Sequence, residues 1–353
     1  MSTRSRQKEA FTSIENRKRI FRKIAFVLCP ILLLVFGGIL GYGLHDQFST
    51  PKLTVKRAND ADLHFTNPLL SCGISENKEF SEYKPLEKLI TESVANVGST
   101  SSVSVYYREL RTGRWFGINE DTKYSPASLF KVPVMIAYFK QSETNPDILK
   151  KKSFYAGGGT TNDGEVYRGK QIAAGQSYTN EQLIEGMIRE SDNIATGMLY
   201  DRMDADSFSD VLTDIGLQPS AFKKVTADED FITAKSYAYL FRLLYNSTYL
   251  SSPLSEKALK LLSETSFKSG ITQGIPSTVV VSHKFGERTV LNPSTYQVES
   301  RELHDCGIVY YPDHPYILCV MTKGTDFNDL SKVIGTVSSV VYTYVNKEYS
   351  QAK

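Results

Sequence analysis

Cysteine and histidine are scarce in this sequence, with four and five copies in 353 residues. No C-x-x-C joins the cysteines, and His45, His64, His283, His304 and His314 form no H-E-x-x-H or similar spacing. A resident metal is therefore not expected, and no pattern calls for another cofactor. The glycine-rich run AGGGTTNDG (156–164) lacks the G-K-[ST] ending of a phosphate loop and reads as a flexible connection. Internal repeats are absent.

Net charge is small as well, at +2, but unevenly spread. Residues 1–23 carry eight Lys/Arg against two acidic residues, a balance of +6; the rest holds 33 basic and 37 acidic residues, or −4. The body has no field that would gather nucleic acid, so no nucleic-acid partner is expected.

One long apolar run is present. Residues 24–44, IAFVLCPILLLVFGGILGYGL, are 21 uncharged residues, enough for a helix at ~1.5 Å per residue to cross a hydrocarbon core of about 30 Å. The basic arm at 1–23 would keep that end cytoplasmic, which puts the remainder outside the cell membrane. The run is long for a signal peptide and no A-x-A follows, so an uncleaved single-pass anchor is expected. Residues 45–82 are polar and irregular and read as a stalk. Beyond the anchor lie Cys72, Cys306 and Cys319, which allow one disulfide and one free thiol. Cys306 and Cys319 fall in two strands joined by YPDHP and are possible cross-strand neighbours, but Cys72 is an equal candidate for either.

From residue 83 to 350 the pattern is that of one folded domain. A helix at 83–98 precedes two strands around an R-T-G turn. A helical middle follows, including a T-x-x-Q capping box at Thr179 and Gln182. Three strands, the first over 277–287, and a final helix complete the order. This α/β (α+β) arrangement predicts a five-stranded antiparallel sheet with both terminal helices on one face, plus an all-helical lobe.

Six S-x-x-K patterns occur, so the spacing alone carries nothing. The one at Ser128 and Lys131 differs in opening an apolar helix, where residues i and i+3 share a face. Free backbone N–H groups at such a helix start can also steady a developing oxyanion. Ser191-Asp192-Asn193 follows a helical run, and His283-Lys284-Phe285-Gly286-Glu287 lies on a strand. S-x-x-K, S-D-N and Lys-x-Gly in this order resemble the signature of the class A β-lactamase-like, penicillin-recognising serine hydrolases, over residues 83–350.

The resemblance implies roles. Ser128 would be the acylating nucleophile and Lys131 its base, given a lowered pKa. Ser191 would pass a proton to the leaving nitrogen, and Lys284 would supply positive field. Asn193 would hold substrate and Lys131. The N–H groups of Ser128 and Glu287, next to Gly286, would form the oxyanion hole. Asp192 would hold its loop. Substrates would be β-lactams or peptidoglycan stem peptides.

Two departures stand out. Phe285 replaces the hydroxyl residue of the third motif and can donate nothing to a substrate carboxylate. The segment GLQPSAFKKVTADEDF contains no E-x-x-L-N, the source of the deacylating glutamate, and Asp228, Glu229 and Asp230 read as solvated or salt-bridged. Slow turnover is expected, closer to a D-Ala-D-Ala peptidase than to an efficient β-lactamase. The alternatives are a β-lactamase with another water activator, or a non-catalytic sensor or scaffold. A long connection at 288–305 is expected to form a lip over the site, with Arg288 and Arg301 as carboxylate partners or surface charges.

Overall fold

Strand β1 (Thr100–Glu109) is buried over its last six residues with no alternation, as expected where both faces of a sheet are covered. In this computed structural model residues 83–350 are described, except 96, 160, 163–164 and 218–229. The arm, the apolar run, the stalk, Cys72, Asp228 and Glu229 thus lie outside the described residues.

β1 pairs with β2 (Trp115–Ile118), β5 (Val281–Leu291) with β6 (Val298–Val309), and β6 with β7 (Tyr316–Gly324); β7 in turn pairs with β1. The sheet is five-stranded and antiparallel, in the order β2-β1-β7-β6-β5. On one face the terminal helices α1 (Lys84–Val94) and α8 (Phe327–Ser350) bury Leu86, Ile90, Val333, Ile334, Val337 and Val341 against Val105, Tyr107 and Leu318. The other face carries Tyr106, Cys306 and Cys319 into a second core with the helical lobe. The expected architecture is present.

That lobe comprises α2 (Lys131–Ser142), α3 (Asn180–Arg189), α4 (Asn193–Tyr200), α5 (Ala205–Asp214), α6 (Ala234–Tyr245) and α7 (Ser252–Ser263). The capping box forms in both directions between Thr179 and Gln182 at the start of α3. A small antiparallel pair, β3 (Lys152–Tyr155) and β4 (Gln176–Thr179), adds to the lobe; four-residue strands leave too little periodicity to read.

Three expectations change. The strand carrying the third motif starts at Val281, not 277, and runs on to Leu291. The connection at 288–305 is therefore mostly two long paired strands, and only 292–297 turn between them. Arg288 pairs with Asp230 at 3.3 Å. The disulfide joins Cys306 and Cys319, which face each other across β6 and β7.

Candidate active site

Ser128 does not lie in an α-helix. It sits in a 3-10 turn, Ala127–Phe130, and α2 begins at Lys131. The turn is fixed from two sides, by Leu129 N–H donating to Pro126 O (2.8 Å) and Tyr237 Oη donating to Leu129 O (2.7 Å). Ala127 and Ser191 both have positive φ, at 43° and 55°. Such backbone costs about 1–3 kcal/mol per residue and persists only where neighbours enforce it, commonly at functional sites.

Lys131 Nζ donates to Ser191 O (2.7 Å), Ser191 Oγ (2.9 Å) and Asn193 Oδ1 (2.7 Å). From the opposite wall Lys284 Nζ donates to the same Ser191 Oγ (3.0 Å) and to Phe285 O (3.2 Å). Ser191 Oγ therefore accepts from two amines, which leaves its own proton to point elsewhere. Burial lowers the Lys131 pKa to about 8 against the pull of Glu165, Asp192 and Glu287. Burial, reinforced by the nearby Lys131 charge, pushes Lys284 well below the usual lysine range.

Asp192 caps α4: its Oδ1 accepts from Ile194 N–H (2.8 Å) and Ala195 N–H (3.1 Å), and its Oδ2 accepts from Ile172 N–H (2.8 Å). It thereby braces the loop that holds Ser191. Gly286 lies against the nucleophile's turn, where a Cβ would stand 3.1 Å from Leu129 N and from Pro126 O. Gly286→Ala should displace the strand from the turn by a few tenths of an ångström and slow acylation about tenfold. An unchanged acylation rate in rapid-mixing kinetics would show that the contact is not functional.

The structure thus joins Lys131, Ser191, Asn193 and Lys284 in one hydrogen-bonded cluster, sets Gly286 and the neighbouring Glu287 beside the turn that holds Ser128, and adds three residues that sequence reasoning missed. Asn162 Nδ2 donates to Ser191 O (3.2 Å), and its Oδ1 accepts from Asn193 N–H (3.1 Å). Glu165 Oε1 accepts from Asn193 Nδ2 (2.7 Å), while its buried Oε2 has no partner among the described residues. Tyr167 N–H donates to Glu287 Oε1 (3.2 Å), and its ring meets Phe285 edge-on at 4.9 Å. Asn162 lies in the run 156–164 read as a flexible loop, and Glu165 and Tyr167 just after it, where irregular backbone leaves no periodic signal.

Phe285 is fully buried, stacked on Phe267 at 4.0 Å. His283 points away from the cleft and hydrogen-bonds Asp305 at 2.9 Å. Among the described residues no group of three or more His, Cys, Asp and Glu is arranged to hold a metal ion.

Comparison with known proteins agrees with this geometry. The family model described as "Beta-lactamase enzyme family" matches residues 85–345. A structure of PBP-A is 20% identical with a TM-score of 0.63, covering 78% of this chain and 100% of that one. A β-lactamase from Sphaerobacter thermophilus is 18% identical (TM-score 0.59; 75% and 98% covered). A class A β-lactamase from Bacteroides cellulosilyticus is 17% identical (TM-score 0.61; 77% and 100% covered). No curated protein matches.

Proposed function

The chain belongs to the β-lactamase enzyme family, and we propose that it is a membrane-anchored, extracytoplasmic serine hydrolase that forms an acyl-enzyme on Ser128. Its substrates are β-lactams or D-Ala-D-Ala-type cell-wall peptides. The observation that carries this reading is the convergence of Lys131 and Lys284 on Ser191 Oγ.

In the proposed step Lys131, as the free amine, takes the Ser128 proton while Oγ attacks the carbonyl carbon. The N–H groups of Ser128 and Glu287 hold the oxyanion. As the C–N bond breaks, Ser191 gives its proton to the leaving nitrogen and recovers one from Lys131. The acyl group is left as an ester on Ser128, and water later cleaves it. The anchor at 24–44 would hold the domain on the outer face of the cell membrane.

A penicillin should add its full mass to the protein, read by intact-mass spectrometry, and an equal adduct on Ser128→Ala would sink the assignment. With no E-x-x-L-N segment, a chromogenic cephalosporin should turn over slowly. One observation favours a second reading, a true β-lactamase: the unpartnered Oε2 of Glu165 beside Asn193 is a possible water activator. Rapid, sustained hydrolysis that Glu165→Gln abolishes would establish it.

A further inference from the structure

The corner of the cleft beyond Lys284 is unlike one built for an anion. At the position of the family's hydroxyl residue, Phe285 is buried between Phe267 and Tyr167. The Lys284 ammonium is itself fully buried, lies 4.2 Å from the Phe285 ring centroid, and is spent on Ser191 Oγ and Phe285 O. On the same strand end the Glu287 side chain is nine-tenths buried, with its carboxylate accepting the Tyr167 N–H. Glu165 follows on the same segment, bonded to Asn193. The two lysines thus already face carboxylates supplied by the chain itself, Glu165 and Glu287, with Asp192 also acting on Lys131 and Asp305 on Lys284.

We propose that Glu287, with Glu165, selects against substrates carrying a free carboxylate beside the scissile bond, so that the site takes an internal amide, an ester or an amidated end instead of a free C-terminal residue. The physical reason is that a second carboxylate in this low-dielectric corner would meet Glu287, while Phe285 offers it no hydroxyl and the Lys284 amine is already bonded to Ser191 Oγ and Phe285 O. This inference rests on the acyl-enzyme reading and revises its substrate class: free-acid penicillins and free D-Ala-D-Ala ends become slow acylating agents, and their amidated, esterified or internal counterparts the preferred ones.

Glu287 also gives the selectivity a pH dependence. Burial first, and then the charge of Glu165, push its carboxyl up to about 7, against the N–H groups of Val166 and Tyr167 and the charge of Lys284; Lys131 is the other cation facing it. Below that pH the carboxyl becomes neutral and the repulsion fades.

The test compares acylation of the full chain by benzylpenicillin free acid and by its methyl ester, as second-order rate constants from intact-mass time courses. The ester is expected to react about tenfold faster or more at pH 8, the factor expected of one unscreened like-charge contact. Glu287→Gln should collapse the ester-to-acid ratio to below about threefold, as should lowering the wild-type protein to pH 6. Glu165→Gln should reduce the ratio in part, which guards against a Glu287 variant that does not fold. The proposal is overturned if the wild type prefers the free acid, or if the ratio is unmoved by Glu287→Gln and by pH, including the case where both rates fall together. Labelling by neither compound removes the acyl-enzyme reading, and the proposal with it.

Discussion

Lys131→Met is expected to slow acylation of Ser128 by about 10³-fold while leaving the domain folded. The loss follows from removing the base proposed to take the Ser128 proton. Stability should change little because two effects oppose. Burial lowers the Lys131 pKa from 10.5 to about 8, so the folded state holds the charged amine less well than the unfolded chain does. At 1.36 kcal/mol per pH unit this is a destabilisation of about 3 kcal/mol. It is present in full below pH 8 and lifts as pH rises from 8 to 10.5. Methionine removes that penalty but takes one donor away from each of three acceptors, at about 1 kcal/mol each. Thermal unfolding should place the variant within about 2 kcal/mol of the parent. In the wild-type protein the acylation rate should rise with pH through about 8, as Lys131 becomes the neutral base. A flat profile from pH 6.5 to 9.5 would remove Lys131 from the role.

Asp192→Ala should cost more stability than any other single change in the cleft. The side chain is fully buried and accepts three backbone N–H bonds, two at the start of α4 and one from Ile172. Losing bonds to a charged acceptor and leaving the donors orphaned amounts to about 4 kcal/mol. In a domain of this size that lowers the midpoint by roughly 10 °C. Acylation should fall as well, because Ser191 keeps its positive φ only while its neighbours hold the loop. Asp192→Asn retains one acceptor oxygen and should recover part of both losses. A midpoint within about 3 °C of the parent in calorimetry would contradict this account.

Phe285 and the loop before α3 show where sequence reading succeeded and where it stopped. The phenylalanine was visible as a departure because it interrupts a motif whose other members are local in sequence and tied to one strand. Its consequence was not visible, since Tyr167 and Phe267 reach it from separate parts of the chain. Asn162 and Glu165 escaped notice for the same reason: their partners, Ser191 and Asn193, are 29 and 28 residues away. The long connection at 288–305 is a different case: its length set it apart from a tight turn, but only cross-strand pairing showed that β5 and β6 extend through most of it.

By itself the sequence determined the family, through three motifs in order, and supplied Ser128 and Lys131 as the proposed nucleophile and base, because residue type and order carry that chemistry. It also determined the sheet-and-helix architecture, through hydrophobic periodicity that each element must obey to bury one face. Only the tertiary structure decided that Ser191 Oγ accepts from both lysines, that Cys306 pairs with Cys319, and that Glu165 bonds Asn193 while Glu287 accepts from Tyr167 N–H. Those are contacts between distant segments, and their energies depend on burial and distance, which no local pattern encodes.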